Sequence, residues 1–426
     1  MLNTSLKKKI NYKKMENFHG YFKPTKTTEF MINLNKFVYI FGLPNYWVEE
    51  LDFPDMFKKV FDQFNKYGNW SIFVMILAEY GAFFTQKNLT ERQGSDLILF
   101  TISQTIITGF RLRMAHQEVE IRNVMYKLGI GLKEVYNDSV AEEKMMKRSK
   151  LFSMNIISSS LPPPPLPKLN PGYILEFITF GLISFSGVTF NTIITAWPDV
   201  EDRSVLSNIG RAMFNITWWI YLSRIFAVYS LVICLTIAVS HQFKNLNSYF
   251  YNLNNIFDDD NLTQSEKERE YERGLKVGIK IHSETLKCTN EIQTICRDVF
   301  SGQIIFNITL LIVLMYQMVN SDHNLTNALT LVLTALTILF STGFFMWNAG
   351  DITVEAEELP TAMFCSGWEN CWHGSSVRVR KLLVIAMMQA QQPVVLTGLG
   401  IIALSYQSYV SVSTHTIMLI LFIFTV

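Results

Sequence analysis

Charge is scarce in this chain, and one long stretch has none. Only 17% of its 426 residues are Asp, Glu, Lys or Arg, against about 25% in soluble domains. Residues 382–426 carry no charged side chain at all. That excludes them from the surface of a soluble domain, where so long an apolar tail would aggregate. It suits lipid, or a pore packed against copies of itself. Net charge is +1, which removes any bulk electrostatic argument for nucleic acid. Cysteine is also sparse. Cys234, Cys288, Cys296, Cys365 and Cys371 show no short Cys/His spacing that fits zinc. The seven histidines are scattered. An H-E-x-x-H pair, a nucleophile elbow and a phosphate loop are all missing. The chain therefore offers no catalytic centre and calls for no cofactor. No apolar h-region follows the basic start at Lys7, Lys8, Lys9, Lys13 and Lys14. No cleavable signal peptide is visible, so the first span is expected to act as the signal.

What is present is apolar sequence in bilayer-length runs of about 20 residues, with positive mean hydropathy. Seven spans are predicted: S1 68–86, S2 95–115, S3 173–197, S4 209–239, S5 300–319, S6 328–349 and S7 382–426. S7 is interrupted. Its first half runs to Ala390, Gln391-Gln392-Pro393 intervenes, and Gly398 and Gly400 precede the terminal run. Before S1, residues 30–41 read as an amphipathic interfacial helix ended by Gly42-Leu43-Pro44. The fold class is thus all-α, a polytopic membrane protein.

Lys and Arg choose the orientation. They are dense before S1, between S2 and S3, between S4 and S5, and just before S7. The opposite loops, 87–94, 198–206 and 320–327, are short and poor in them. The positive-inside rule puts the N-terminus in the cytosol, and seven spans leave Val426 outside. This is inverted relative to G-protein-coupled receptors. Asn88 and Asn324 head sequons in outside loops and are glycosylation candidates. The cysteines fall in the membrane or on the cytosolic side, where disulfides are not expected.

The polar insert between S4 and S5 reads as two helices, 241–257 and 265–297, joined at Asp258-Asp259-Asp260-Asn261. Leu275, Ile279, Ile281, Leu286 and Ile292 recur at helical spacing. The helices extend S4 and S5 below the membrane, and intrachain packing and a subunit interface both remain open. Leu161-Pro162-Pro163-Pro164-Pro165-Leu166-Pro167 must be polyproline II, a stiff connector into S3. Glu79 in S1 and Arg224 in S4 are intramembrane charges that face protein or water rather than lipid. Whether they pair is not readable here.

The C-terminal third carries a pattern. Gly350 lies eighteen residues before Trp368, with Ala362-Met363-Phe364 between them. Met387-Met388-Gln389-Ala390-Gln391-Gln392-Pro393 follows, then Leu396-Thr397-Gly398, with Leu404-Ser405 and Ser408-Tyr409 opening the last helix. Ala196-Trp197-Pro198 stands after S3. Over roughly 343–409 this resembles the insect odorant receptor family. The chain lacks the long cytosolic insert of the family's co-receptor and so resembles an odorant-selective tuning subunit. It departs from the family at Gln389 and Gln392, where basic residues are frequent, and at Thr416-Ile417-Met418-Leu419.

The resemblance implies the insect odorant receptor channel fold: a heterotetrameric, ligand-gated, non-selective cation channel shared with the co-receptor. It would sit in the plasma membrane of olfactory neuron dendrites, with membrane lipid and a small volatile hydrophobic odorant as its other partners. Residues 1–66 would form a cytosolic segment, 67–350 the spans S1–S6 with the 241–297 extension, and 351–426 a cytosolic S7a and pore-lining S7b. Phe422 and Val426 would form the gate. Four residues apart, they share a helix face, and an apolar ring closes a pore by dewetting. The odorant would bind among the outer halves of S2, S3, S4 and S6. Those offer Phe100 and Gln104, Ser184 and Val188, Phe214, Trp218 and Tyr221, and Leu333, Thr334 and Thr337. Two readings compete. A gustatory-type receptor channel shares the topology, and a secondary transporter would need paired broken helices, of which only S7 is an example.

Overall fold

The computed structural model describes residues 25–86, 89, 91–152, 202, 204–320, 325–374 and 376–425. S3, the polyproline connector, Ala196-Trp197-Pro198, Asn88, Asn324 and Val426 lie outside them. The described helices are α1 (Lys26–Ile40), α2 (Asp55–Thr85), α3 (Glu91–His116), α4 (Glu118–Tyr126), α5 (Leu132–Val135), α6 (Ser139–Phe152), α7 (Val205–Leu253), α8 (Gln264–Asn320), α9 (Leu325–Glu357), α10 (Leu359–Phe364), α11 (Ser376–Ala390) and α12 (Tyr406–Thr425).

Local signals start these helices where the sequence changes character. Thr25 caps α1 and exchanges a capping box with Thr28, and Gly42 at φ 86° ends the turn after it. Ser204 caps α7 by accepting from the Ser207 N–H at 3.3 Å. Glu266 reaches back to the Thr263 N–H at 2.9 Å ahead of α8. Each cap satisfies amide groups that a helix start leaves bare.

α7 is the axis of the bundle. It packs against α1, α2, α3, α6, α8, α9 and α10. It is continuous for 49 residues, roughly 70 Å at 1.5 Å per residue. S4 and the first insert helix are therefore one rod. S5 and the second insert helix likewise fuse into α8, 57 residues long. Their cytosolic halves close one core, in which Phe243, Leu246, Phe250, Tyr271, Leu275 and Ile292 are all fully buried. Intrachain packing thus accounts for the apolar spacing of the insert.

The helix expected over 30–41 forms, but its apolar face is not left to lie on lipid. Met31, Leu34 and Val38 are fully buried, and α1 packs on α6 and α7. Its start is pinned by Glu142, which accepts from the Thr27 N–H at 2.7 Å and hydroxyl at 2.8 Å. α2 begins well before S1, along a ladder of Phe53, Phe57 and Phe61 in which Phe57 and Phe61 stack at 5.5 Å. Its outer face shows Trp70, Phe73, Leu77 and Phe84, an apolar stripe too long for a face in water. Among the described residues, stretches 205–258 and 264–312 are long and apolar enough to cross a membrane.

The break in S7 is a folded element. After α11, Thr397–Gly398 and Ile402–Ala403 pair antiparallel. The turn between them holds Leu399 at φ 56° and Gly400 at φ 74°, and the Ile401 N–H donates to the Gly398 carbonyl at 3.3 Å. With Gly398 paired to Ile402 the loop is three residues long, 399–401, and its two successive left-handed residues give the tight reversal that a short hairpin needs. The hairpin is fastened to α8. Gln293 accepts from the Thr397 N–H at 2.8 Å and donates to its carbonyl at 2.8 Å, and Ser301 Oγ accepts from the Leu399 N–H at 2.8 Å. A Cβ at Gly398 would meet the Ile304 side-chain tip and press on the Phe300 carbonyl, so Ile304 would have to turn aside to admit it.

Candidate ligand-binding site

Between α2, α3 and α7 sits a second, separate core. Its buried members are Ile72, Met75, Ile76, Trp218 and Tyr221, with Phe100, Ile107, Phe214, Ile220, Leu222 and Ile225 packed against them. The α2 wall, 72, 75, 76 and 79, follows i, i+3, i+4, i+7 spacing and so forms one face. On α7 the same logic aligns Phe214, Trp218 and Tyr221. Trp218 meets Phe100 edge-on at 5.5 Å and stacks on Tyr221 at 5.7 Å, geometries that add to area burial. The Tyr221 hydroxyl donates to the Gln104 carbonyl at 3.0 Å. Thr101 spends its hydroxyl on the Leu97 carbonyl at 2.7 Å, leaving its methyl to the interior.

The structure thus brings Phe100, Gln104, Phe214, Trp218 and Tyr221 into one cluster. Ser184 and Val188 lie outside the described residues. Leu333, Thr334 and Thr337 fall on α9, with side chains outside the described set. The contribution of α2 was not anticipated, although the spacing of Ile72, Met75, Ile76 and Glu79 was there to be read.

Glu79 and Arg224 do not pair. Arg224, 2% exposed, donates to Asn69 Oδ1, to the Asn65 carbonyl at 3.3 Å and to Asn65 Oδ1 at 3.4 Å. Arg111 on α3 reaches the same Asn69 Oδ1 at 2.7 Å. Two buried guanidiniums therefore share one amide oxygen, and among the described residues neither makes an ion pair with a carboxylate. Glu79 is ten residues further along α2, about 15 Å up the helix, inside the aromatic cluster. It is fully buried.

The foot of the last helix is tied to α9. The Tyr406 hydroxyl donates to Asp351, Arg148 of α6 pairs with Asp351, and Arg148 also donates to Asn348 at 3.1 Å. One turn on, Tyr409 sits edge-on to Trp347 at 5.1 Å. Ser405 Oγ caps α12 by accepting from the Ser408 N–H at 3.2 Å. Nearby, Lys244 of α7 pairs with Glu355 at 2.7 Å. Two polar contacts about one turn apart on α9, at Asp351 and Glu355, therefore tie that helix to α6 and α12 and to α7. Phe422 lies on α12 with its side chain outside the described set, and Val426 lies beyond.

Rods of bilayer length, a lipid-ready outer stripe and a buried aromatic core between three of them define an all-α polytopic membrane protein. The family model for the 7tm Odorant receptor matches residues 174–416, more than half of the chain, and the chain belongs to that family. Its fold is similar to the insect olfactory receptor OR5 from Machilis hrabei, with TM-score 0.64 and 12% identity over 92% of this chain and 96% of that one. It is equally similar to the same receptor in complex with eugenol, with TM-score 0.63 and 12% identity over 93% and 97%. At such identity the likeness establishes the fold. No curated protein matches the sequence. An odorant receptor is not an enzyme, which agrees with a sequence that carries no catalytic motif.

Proposed function

We propose that this chain is the odorant-binding subunit of a heteromeric, ligand-gated, non-selective cation channel, assembled with a co-receptor subunit in the plasma membrane. The single observation that carries the reading is the buried cluster of Phe100, Phe214, Trp218 and Tyr221. Rigid aromatics around few polar groups are the walls a small apolar volatile needs. That a structural neighbour was solved with eugenol supports a ligand of this size. A volatile of about ten heavy atoms, at about 0.5–0.8 kcal/mol each, binds in the roughly 1–200 μM range.

Gating follows from connectivity. α7 runs from the cluster into the cytosolic core, where Lys244–Glu355 and Asp351–Tyr406 carry it to α9 and the foot of α12. A ligand biases opening only by binding the open arrangement more tightly. The gate in this reading is the apolar end of the last helix, at Phe422 and Val426, and orientation by Lys and Arg puts that end outside.

The test is co-expression with a co-receptor subunit and recording of volatile-evoked current while G-protein signalling is blocked. A receptor channel gives current under the block, and Phe422→Asp alters its resting leak or its ion selectivity. Uptake without conductance favours a carrier and sinks the channel reading.

A further inference from the structure

Glu79 and Gln104 are the anomaly of the aromatic cluster. Both are essentially fully buried, at 0% and 1% exposure. Among the described residues, neither carboxylate oxygen of Glu79 and neither polar atom of the Gln104 side chain makes a well-formed hydrogen bond. The two side chains approach each other across α2 and α3 closely enough for Gln104 Nε2 to donate to one Glu79 oxygen after a small adjustment, and that bond would still leave the other Glu79 oxygen and Gln104 Oε1 bare. Buried polar groups are nearly always bonded, because leaving one bare in an apolar medium costs several kcal/mol.

Among the described residues, the other polar groups nearby are engaged elsewhere. The Tyr221 hydroxyl, which also faces Glu79, is committed to the Gln104 carbonyl. The intramembrane arginines are held lower down by Asn69 and Asn65. Among the described residues, this face of α2 continues into an apolar and aromatic cluster: Met75 and Ile76 from the adjoining turn, with Trp218 and Tyr221. A carboxyl that accepts and an amide that both donates and accepts are thus presented at the edge of an aromatic wall.

Building on the receptor reading above, we propose that Glu79 and Gln104 form the polar head of the site. They select volatiles that carry a hydrogen-bond donor, a hydroxyl or an amine, on a compact apolar body. The donor reaches a Glu79 oxygen, and the ligand's own lone pair accepts from Gln104 Nε2. The aromatic rings cover the body, and their faces favour a cationic amine. An isostere that replaces the donor with methyl still strips the pair of alternatives and returns no bond, so it binds more weakly. A site built to bond a polar group rejects the analogue lacking it more strongly than an apolar pocket rejects an extra group.

The experiment uses the full chain with a co-receptor subunit, phenylethanol, phenylethylamine and propylbenzene as probes, and an unrelated volatile panel as reference. Currents are normalised to a co-receptor agonist. The two donors are expected to be at least tenfold more potent than propylbenzene, the fold-change that one bond to a charged or polar partner supplies. Glu79→Leu and Gln104→Leu should bring the donors down to propylbenzene and leave propylbenzene unchanged or improved. Glu79→Gln should keep the hydroxyl preference and lose the amine preference if the amine binds as a cation. Keeping both means a neutral donor suffices. A purely structural pair would shift all three probes together. It is the difference between probes in one variant that reads recognition, and Glu79→Gln supplies it if the leucine variants fail to reach the surface. Equal potency of donors and propylbenzene, or current to the reference panel alone, overturns this proposal and leaves the receptor reading standing. No current to any volatile, with normal surface expression, overturns the receptor reading itself.

Discussion

Replacing Asn69 by leucine removes the oxygen that both buried arginines share, and the consequence can be worked out. Arg111 donates to it at 2.7 Å and Arg224 donates to it as well. A hydrogen bond to a charged group contributes about 1.5–3 kcal/mol, so two of them contribute about 3–6 kcal/mol. Asn69 is exposed on its outer side, where water or lipid headgroups replace part of what is lost. Arg224 also keeps its long bonds to Asn65. We therefore expect Asn69→Leu to destabilise the chain by about 2–4 kcal/mol. Leucine keeps the branched shape of asparagine, and position 69 is exposed, so its extra bulk meets little packed structure. The assay is thermal melting of the detergent-purified protein, alongside Arg224→Met and the double variant. Removing Arg224 as well takes away one of the two stranded charges, so the double variant should be more stable than Asn69→Leu alone by at least about 1 kcal/mol. A melt of Asn69→Leu indistinguishable from the wild type, or strictly additive effects in the double variant, would refute the shared-acceptor argument.

Trp218→Ala should weaken volatile responses at least tenfold while sparing opening by a co-receptor agonist, because it removes the ring that touches both Phe100 and Tyr221. Unchanged dose–response curves would remove Trp218 from the site. Gly302→Ala should cost about 1–3 kcal/mol by overpacking, because the Phe110 ring occupies the place of its Cβ. Phe110→Leu in the same chain should recover part of that loss in the melt. Acidification should destabilise the cytosolic core. Burial holds His241 and His282 down at about 4, from an ordinary 6.5. Between those values the unfolded chain binds more protons, so stability is full above pH 6.5 and falls toward pH 4, on the order of 2–3 kcal/mol per histidine. His282→Gln should flatten that decline, and an unaltered pH profile would contradict it.

The break in S7 and the aromatic cluster were legible to different degrees. The interruption of S7 was written in Gln391-Gln392-Pro393 and the two glycines, because proline and left-handed positions punctuate a chain locally. The hairpin they make, and its anchorage to Gln293 and Ser301, was not, since those partners lie about a hundred residues away. Phe100, Gln104, Phe214, Trp218 and Tyr221 were nominated through family resemblance, and the fold gathers them in one place. The α2 face of the cluster, Ile72, Met75, Ile76 and Glu79, is regular in the sequence, but spacing alone does not say which helices a face meets. The amphipathic helix before S1 was correctly a helix, yet its pattern could not say whether lipid or protein would cover it.

By itself the sequence determined what local rules can determine: a helical membrane chain, the places where rods begin, fuse and break, and the charge-free end. Hydropathy, helical period and capping are properties of neighbouring residues, and they survive any arrangement of the rods. Only the tertiary structure decided which way each rod is turned. A span apolar on every side has no preferred face to read, so nothing local told Glu79 to turn toward Gln104, or Arg111 and Arg224 to converge on Asn69. Those choices depend on packing α2, α3 and α7 together, where a buried polar group must meet whatever the adjacent helix presents at its level.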